Sequence, residues 1–297
     1  MRLGCMKSRS LHGSSHLSSI EHHAVLNSCT FLEDMGYPVD YLPVTNKGIM
    51  MSETLQSVIA DDTCLISVML ANNEIGTIQD IRTLADIAHL HGALFHSDAV
   101  QAVGHIPVDV NTLGVDMLSA SAHKFNGLKG IGFLYVRSGT VLIPYISGGA
   151  QEGGKRAGTE NIAGVVGMAA ALQKNLANIK KNMAHKAALS EHLLNLLQDR
   201  NIDFILNGDD INRLPGNVNI SIRGADGEAI LHRMDLIGIC ISTGSACDSV
   251  NTQVSHVIRS IGVPPEYAEG TIRITFGNDN SIEDTVKIAD ALQAICK

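Results

Sequence analysis

Residues 63–137 alternate short apolar runs with segments of helical spacing, and this alternation leaves only a small set of folds open to the chain. Cys64-Leu65-Ile66-Ser67-Val68-Met69-Leu70 reads as a buried strand. Residues 80–91 then set Ile81, Leu84, Ala85 and Ala88 at helical spacing, and Gly92 supplies a natural C-cap. Ala93-Leu94-Phe95 is a further short strand, residues 115–120 another, and residues 131–136 follow closely enough to pair antiparallel. Strands and helices in this order predict an α/β domain built on a mainly parallel sheet with helices on both faces.

Beyond that stretch, residues 148–158 form a glycine-rich run that reads as a flexible loop. Residues 162–200 are almost all helix-forming, which predicts one long helix or two in tandem. A domain boundary is expected near Lys180. The smaller α+β domain behind it has strand candidates at residues 218–222, 237–241 and 271–276. It closes with a helix capped at Ser281, with Ile282, Val286, Ala289 and Leu292 on one face. The expected organisation is an atypical tail over residues 1–18, a large domain over 19–180 and a small domain over 181–297.

Bulk properties narrow the function. With 45% apolar and 18% charged residues in 297, the chain can bury a large core. A formal charge of -8 argues against nucleic acid as the main partner. No apolar run is long enough to span a bilayer, and the basic residues near Met1 have no apolar core of a secretory signal behind them. The six cysteines (Cys5, Cys29, Cys64, Cys240, Cys247 and Cys296) are scattered, with no Cys-x-x-Cys pair. That suits reduced thiols in the cytoplasm better than a disulfide framework or a metal site.

Three strand ends carry chemistry: Asn72-Asn73-Glu74, His96-Ser97-Asp98, and Ser121-Ala122-His123-Lys124. Ligands of open parallel sheets bind outside the carboxyl ends of strands, so these groups are expected to converge. A hydroxyl, an imidazole and an amine together are what a pyridoxal phosphate enzyme needs, the amine to carry the cofactor and the others to hold it. Asp98 can pair with the pyridinium nitrogen, and Gln101 or Asn73 can reach the ring hydroxyl. Taken singly, each Asn or Asp also reads as a turn former. Arg273 shares one strand face with Thr271 and Thr275, a fixed position suited either to a bidentate grip on a carboxylate or to a plain salt bridge. Cys247 sits among Gly244, Ser245, Ala246, Asp248 and Ser249, a small and polar setting unlike the apolar neighbours of Cys64 and Cys240. It reads as an exposed reactive thiol, the alternative being an idle surface one.

With Glu21-His22-His23-Ala24-Val25-Leu26, Asn72-Asn73-Glu74-Ile75-Gly76, Asp98-Ala99-Val100-Gln101 and Ser121-Ala122-His123-Lys124 in line, the chain resembles the cysteine desulfurases. Arg156-Ala157-Gly158-Thr159-Glu160-Asn161, Gly244-Ser245-Ala246-Cys247 and Arg273-Ile274-Thr275-Phe276-Gly277 continue the resemblance in order. These enzymes belong to the class V aminotransferase group of fold-type I pyridoxal phosphate proteins. The resemblance implies that His22 stacks on the pyridine ring with a share in proton transfer, that Asp98 binds the ring nitrogen, and that Asn73 and Gln101 lie near the ring hydroxyl. It implies that Ser121 and His123 hold the phosphate, that Lys124 carries the cofactor, and that Thr159 reaches the phosphate site of the other subunit of a homodimer. Cys247 is then the nucleophile that receives sulfur from L-cysteine as a persulfide, Arg273 clamps the substrate carboxylate, and alanine is the product. Sulfur would pass to an acceptor protein, an iron–sulfur scaffold or a tRNA-thiolation enzyme. A selenocysteine lyase, another class V enzyme such as an aminotransferase, and an inactive fragment are the alternative readings. The family's N-terminal segment, with a Gly-Ala-Thr-Glu loop that binds phosphate through backbone N–H groups, has no counterpart in residues 1–13, so the resemblance implies a truncated chain.

Overall fold

A computed structural model describes residues 13–244 and 254–296 of the protein. Its chain divides into two units. Among the described residues the first comprises 13–43, 50–70 and 79–177, and the second comprises 44–49, 71–78 and everything from 178 onward.

The first unit contains β1 (Ser15–Ser18), α1 (His23–Asp34), β2 (Val39–Leu42), α2 (Ser52–Gln56), β3 (Leu65–Ser67), α3 (Ile81–Leu90), β4 (Leu94–Asp98), α4 (Val110–Leu113), β5 (Met117–Ser121), β6 (Gly132–Val136) and α5 (Ile162–Ala177). Its six strands lie in the order β2-β1-β3-β4-β5-β6, parallel except for the antiparallel β5–β6 edge pair. The expected α/β class and mainly parallel sheet are therefore borne out. Ser15–Ser18, assigned above to an N-terminal tail, is instead an interior strand between β2 and β3. Only Leu17 in it is apolar. Its buried polar side chains have side-chain partners: His16 Nε2 lies 3.1 Å from Thr63 Oγ1, and Ser18 Oγ donates to Glu21 at 2.6 Å. The α3 helix starts at Asp80, whose Oδ1 accepts the Thr83 N–H at 3.2 Å, and it buries Ile81, Leu84, Ala85, Ile87 and Ala88.

The second unit contains α6 (Ile179–Asp199), β7 (Phe204–Leu206), β8 (Asn217–Ile222), α7 (Gly227–Leu236), α8 (His256–Ser260), α9 (Pro265–Ala268), β9 (Thr271–Thr275) and α10 (Ile282–Ile295). The β7-β8-β9 sheet is antiparallel. Leu193, Leu197, Val218, Ile220, Ile272 and Leu292 are central to its core. The long helical stretch resolves into the tandem pair α5 and α6. Residues 237–241 do not form the expected strand: Ile237 caps α7 and is 59% exposed, and only Ser242 bridges β9, at Arg273. The α10 face also differs from expectation. Ile282 and Val286 are exposed, and Thr285, Ile288, Ala289 and Leu292 face inward, with Thr285 Oγ1 bonded to Ile282 O and lying 2.6 Å from His192 Nδ1. Among the described residues no helix is long and apolar enough to cross a membrane.

Candidate active site

Lys124 lies in a 3-10 turn (Ala122–Phe125) that directly follows β5. Phe125 anchors this turn, fully buried against Gly104, where an added Cβ would come within 2.7 Å of Phe125 Cβ. Gly104 has φ 79°, so a glycine serves both the close approach and the backbone conformation. Asn175 Nδ2 donates to the Phe125 carbonyl at 2.7 Å, and His105 Nε2 donates to the Lys124 carbonyl at 2.7 Å. The backbone of Lys124 is thus held while its side chain stays exposed. At the start of the turn, Ser121 Oγ and His123 Nδ1 are 2.8 Å apart.

Asp98 ends β4 and is 7% exposed. Its Oδ1 accepts the Val100 N–H at 2.9 Å. Burial pushes its carboxyl upward, while the Val100 amide, His22 and Lys124 all act to lower it. Positive charge on either side chain therefore favours the Asp98 carboxylate, which links the three residues electrostatically. His22 is the N-cap of α1, and its Nδ1 accepts the Ala24 N–H at 3.1 Å. That bond leaves Nε2 to carry the proton of the neutral ring. Gln101 is half-buried in the turn after β4. Thr159 is exposed in the loop ahead of α5, and no hydrogen bond among the described residues joins it to the others.

The second unit brings together two other expected residues. Asn73 is 9% exposed, and its carbonyl accepts a 2.7 Å hydrogen bond from Arg273 Nη1. Ile272 and Ile274 are buried and Arg273 lies on the opposite face of β9, as the alternation predicted. The loop carrying Asn73 is pinned: Asn72 Oδ1 accepts the N–H groups of Glu74 and Ile75, and Asn217 and Asn219 donate to the Glu74 carbonyl at 3.2 Å each. Cys247 lies outside the described residues. Cys240, expected in an apolar setting, is exposed, so exposure does not separate it from a reactive thiol. Among the described cysteines Cys29 is the buried one, its thiol pushed up to about 11 by burial, as befits a structural cysteine.

One first-unit residue appears in the sequence only as part of a motif. Glu21, next to His22, is fully buried and accepts hydrogen bonds from Ser18 and the Met69 amide. Its only sequence signal is its place at a strand-to-helix junction beside a candidate site residue.

The donor set of the first unit fits pyridoxal phosphate. It offers an exposed amine on a held turn, a buried carboxylate with two potential cations acting on it, a hydroxyl–imidazole pair, and an imidazole at a helix start.

Comparisons with known proteins agree with this chemistry. The family model for class V aminotransferases matches residues 12–288. A cysteine desulfurase IscS of Dictyoglomus turgidum is 48% identical over 278 residues, covering 94% of this chain and 71% of the relative. Another, from Methanosarcina thermophila, is 44% identical over 285 residues, with 94% and 69% covered. A solved NifS-like protein superposes with a TM-score of 0.89 at 32% identity, over 97% of this chain and 76% of that one.

Proposed function

The chain belongs to the class V aminotransferase family, among the cysteine desulfurases, and from that premise we propose that it converts L-cysteine to L-alanine with the sulfur carried as a persulfide on Cys247. The observation that carries this reading is the electrostatic grouping of Asp98, His22 and Lys124 in the first unit, with the turn of Lys124 held at its backbone.

Bound there, pyridoxal phosphate supplies an electron sink for charge developing at the substrate α-carbon. Asp98 would pair with the ring nitrogen, His22 would face the ring, and Gln101 and Asn73 would serve the ring hydroxyl. Ser121 and His123 hold the phosphate. Lys124 anchors the group, and its Nζ takes and returns the proton at the substrate α-carbon. Arg273, whose guanidinium is aimed by its bond to the Asn73 carbonyl, takes the substrate carboxylate. The Cys247 thiolate attacks the substrate sulfur. As the new S–S bond forms, the C–S bond breaks and its electron pair stays with carbon, which is protonated to give alanine.

The protein works as a homodimer in which Thr159 reaches the partner's phosphate site. Support comes from the exposed apolar side chains Ile143, Tyr145, Ile146, Ile162, Val165 and Val166 near it in sequence. The persulfide passes to an acceptor protein of iron–sulfur or thio-cofactor synthesis. A cytoplasmic location fits the free thiols of Cys29, Cys64, Cys240 and Cys296. Incubating the protein with pyridoxal phosphate tests the reading: a visible band from the amine-linked cofactor is expected in wild type and not in Lys124→Ala. A wild-type protein without the band would overturn it.

A further inference from the structure

Strand order in the first unit reverses at β1. The chain runs from β1 to β2 on one side and then returns to lay β3 on the other. In open parallel sheets the crevice at such a reversal, outside the carboxyl ends, is where ligands bind. The two strands at the reversal, β1 and β3, do not end together. β1 stops at Ser18, whereas the chain after β3 goes on pairing with β4, Val68 N–H to His96 O at 3.1 Å and Leu70 N–H to Asp98 O at 2.9 Å. The amide between them, that of Met69, points the other way, to the side where β1 has already ended. Glu21 supplies the acceptor that β1 no longer provides. Its Oε1 accepts the Met69 N–H at 2.7 Å and the Ser18 hydroxyl at 2.6 Å. One carboxyl oxygen thus ties the ends of both strands, at the residue immediately before His22.

We propose that Glu21 is a positioning residue of this site, clamping the carboxyl ends of β1 and β3 so that the His22 ring and the Asp98 carboxylate keep their places. This deepens, and rests on, the cofactor reading above. The electrostatics are consistent with it. Burial pushes the Glu21 carboxyl up to about 8; the Ser18 and Met69 bonds oppose that rise and the Asp98 charge adds to it. At neutral pH Glu21 therefore keeps its proton. Among the described titratable groups, Asp98 from β4 acts on Glu21, and Glu21 helps to raise the thiol of Cys29 from α1. At Asp98 burial raises the carboxyl, and the charges of His22 and Lys124 act in the opposite direction, toward the ionised form.

The test uses the full chain with Glu21→Gln, Glu21→Ala, His22→Ala and the double variant Glu21→Ala/His22→Ala. Glutamine has the shape of the neutral acid and keeps an acceptor at Oε1. Glu21→Gln is expected to hold pyridoxal phosphate as wild type does, and Glu21→Ala to bind it about tenfold more weakly, as when a buried donor loses its acceptor. In the His22→Ala background the alanine change should cost clearly less, because part of its effect runs through His22. The same loss in both backgrounds, or no loss in either, would overturn the proposal. The His22 ring resonance of cofactor-free protein is a second readout, identified by its disappearance in His22→Ala. It should move in Glu21→Ala and stay in Glu21→Gln; an identical resonance in all three proteins refutes the clamp. A wild-type protein that binds no pyridoxal phosphate sinks the cofactor reading, and the resonance still decides the clamp. Should Glu21→Ala fail to fold, Ser18→Ala removes one of the two bonds and is expected to shift the His22 resonance in the same direction; no shift there counts against the clamp.

Discussion

Replacing Glu21 by Gln should change how stability depends on pH, with a sign and size fixed by burial. In the folded protein the Glu21 carboxyl titrates at about 8, against 4.5 for an ordinary glutamate. Between those values the folded state keeps a proton that the unfolded chain has released. The folded state then binds more protons, so stability falls as pH rises, by about 1.4 kcal/mol per pH unit. Over the whole window the loss amounts to about 5 kcal/mol, and above pH 8 the curve flattens because both states are ionised. Glutamine makes the same shape without a titrating proton, so Glu21→Gln lacks this slope. Other titrating groups are present in both proteins and largely cancel in the difference. Urea unfolding of the two proteins at pH 5, 6, 7, 8 and 9 measures it. The variant should gain on wild type steadily from pH 5 to 8 and no further at 9. A stability difference that stays flat from pH 5 to 8 would mean that Glu21 is ionised in the folded protein and that burial does not hold its proton.

Other outcomes follow from the same structure. His96 is fully buried, its Nδ1 2.8 Å from Ser67 Oγ and its Nε2 2.9 Å from Ser119 Oγ, and burial brings it down to about 3. Its ring resonance should not titrate between pH 8 and 5; a midpoint near 6.5 would contradict this. Gly104→Ala puts a Cβ against Phe125 on a positive φ, and the urea midpoint should fall by the equivalent of about 1–3 kcal/mol. An unchanged midpoint would show that the Lys124 turn is not braced there. Asp226 Oδ1 accepts the Glu228 and Ala229 N–H groups at 2.9 and 3.2 Å, so Asp226→Ala should cost about 1 kcal/mol of α7 capping, again by urea midpoint.

Strong periodicity and motif chemistry made much of this molecule legible in its sequence. The α3 helix declared itself through Asp80 and its apolar spacing, the β5–β6 pair through adjacency, and Asp98, Ser121 and Lys124 through their places at or just beyond strand ends. What escaped notice did so for physical reasons. Ser15-His16-Leu17-Ser18 has one apolar residue, and its polar members are buried only because Thr63, Asp40 and Glu21 lie within reach of them from elsewhere in the chain. Ile237 to Ile241 is apolar enough for a strand, but it follows directly on α7, and pairing with β9 begins only at Ser242. The inward face of α10 turns on Thr285, a polar residue satisfied by Ile282 O and His192, so hydrophobicity alone misplaced the stripe. Glu21 gave no hint of burial, because its two partners, Ser18 and Met69, meet only once the sheet has formed.

The most direct test of the central claim is mass spectrometry of the protein after one exposure to L-cysteine with pyridoxal phosphate bound, read together with alanine released. Wild-type protein should show one added sulfur atom on the peptide containing Cys247 and alanine in matching amount, and Lys124→Ala neither. Alanine formed with no sulfur on Cys247, or no alanine from protein that has bound the cofactor, would contradict the claim.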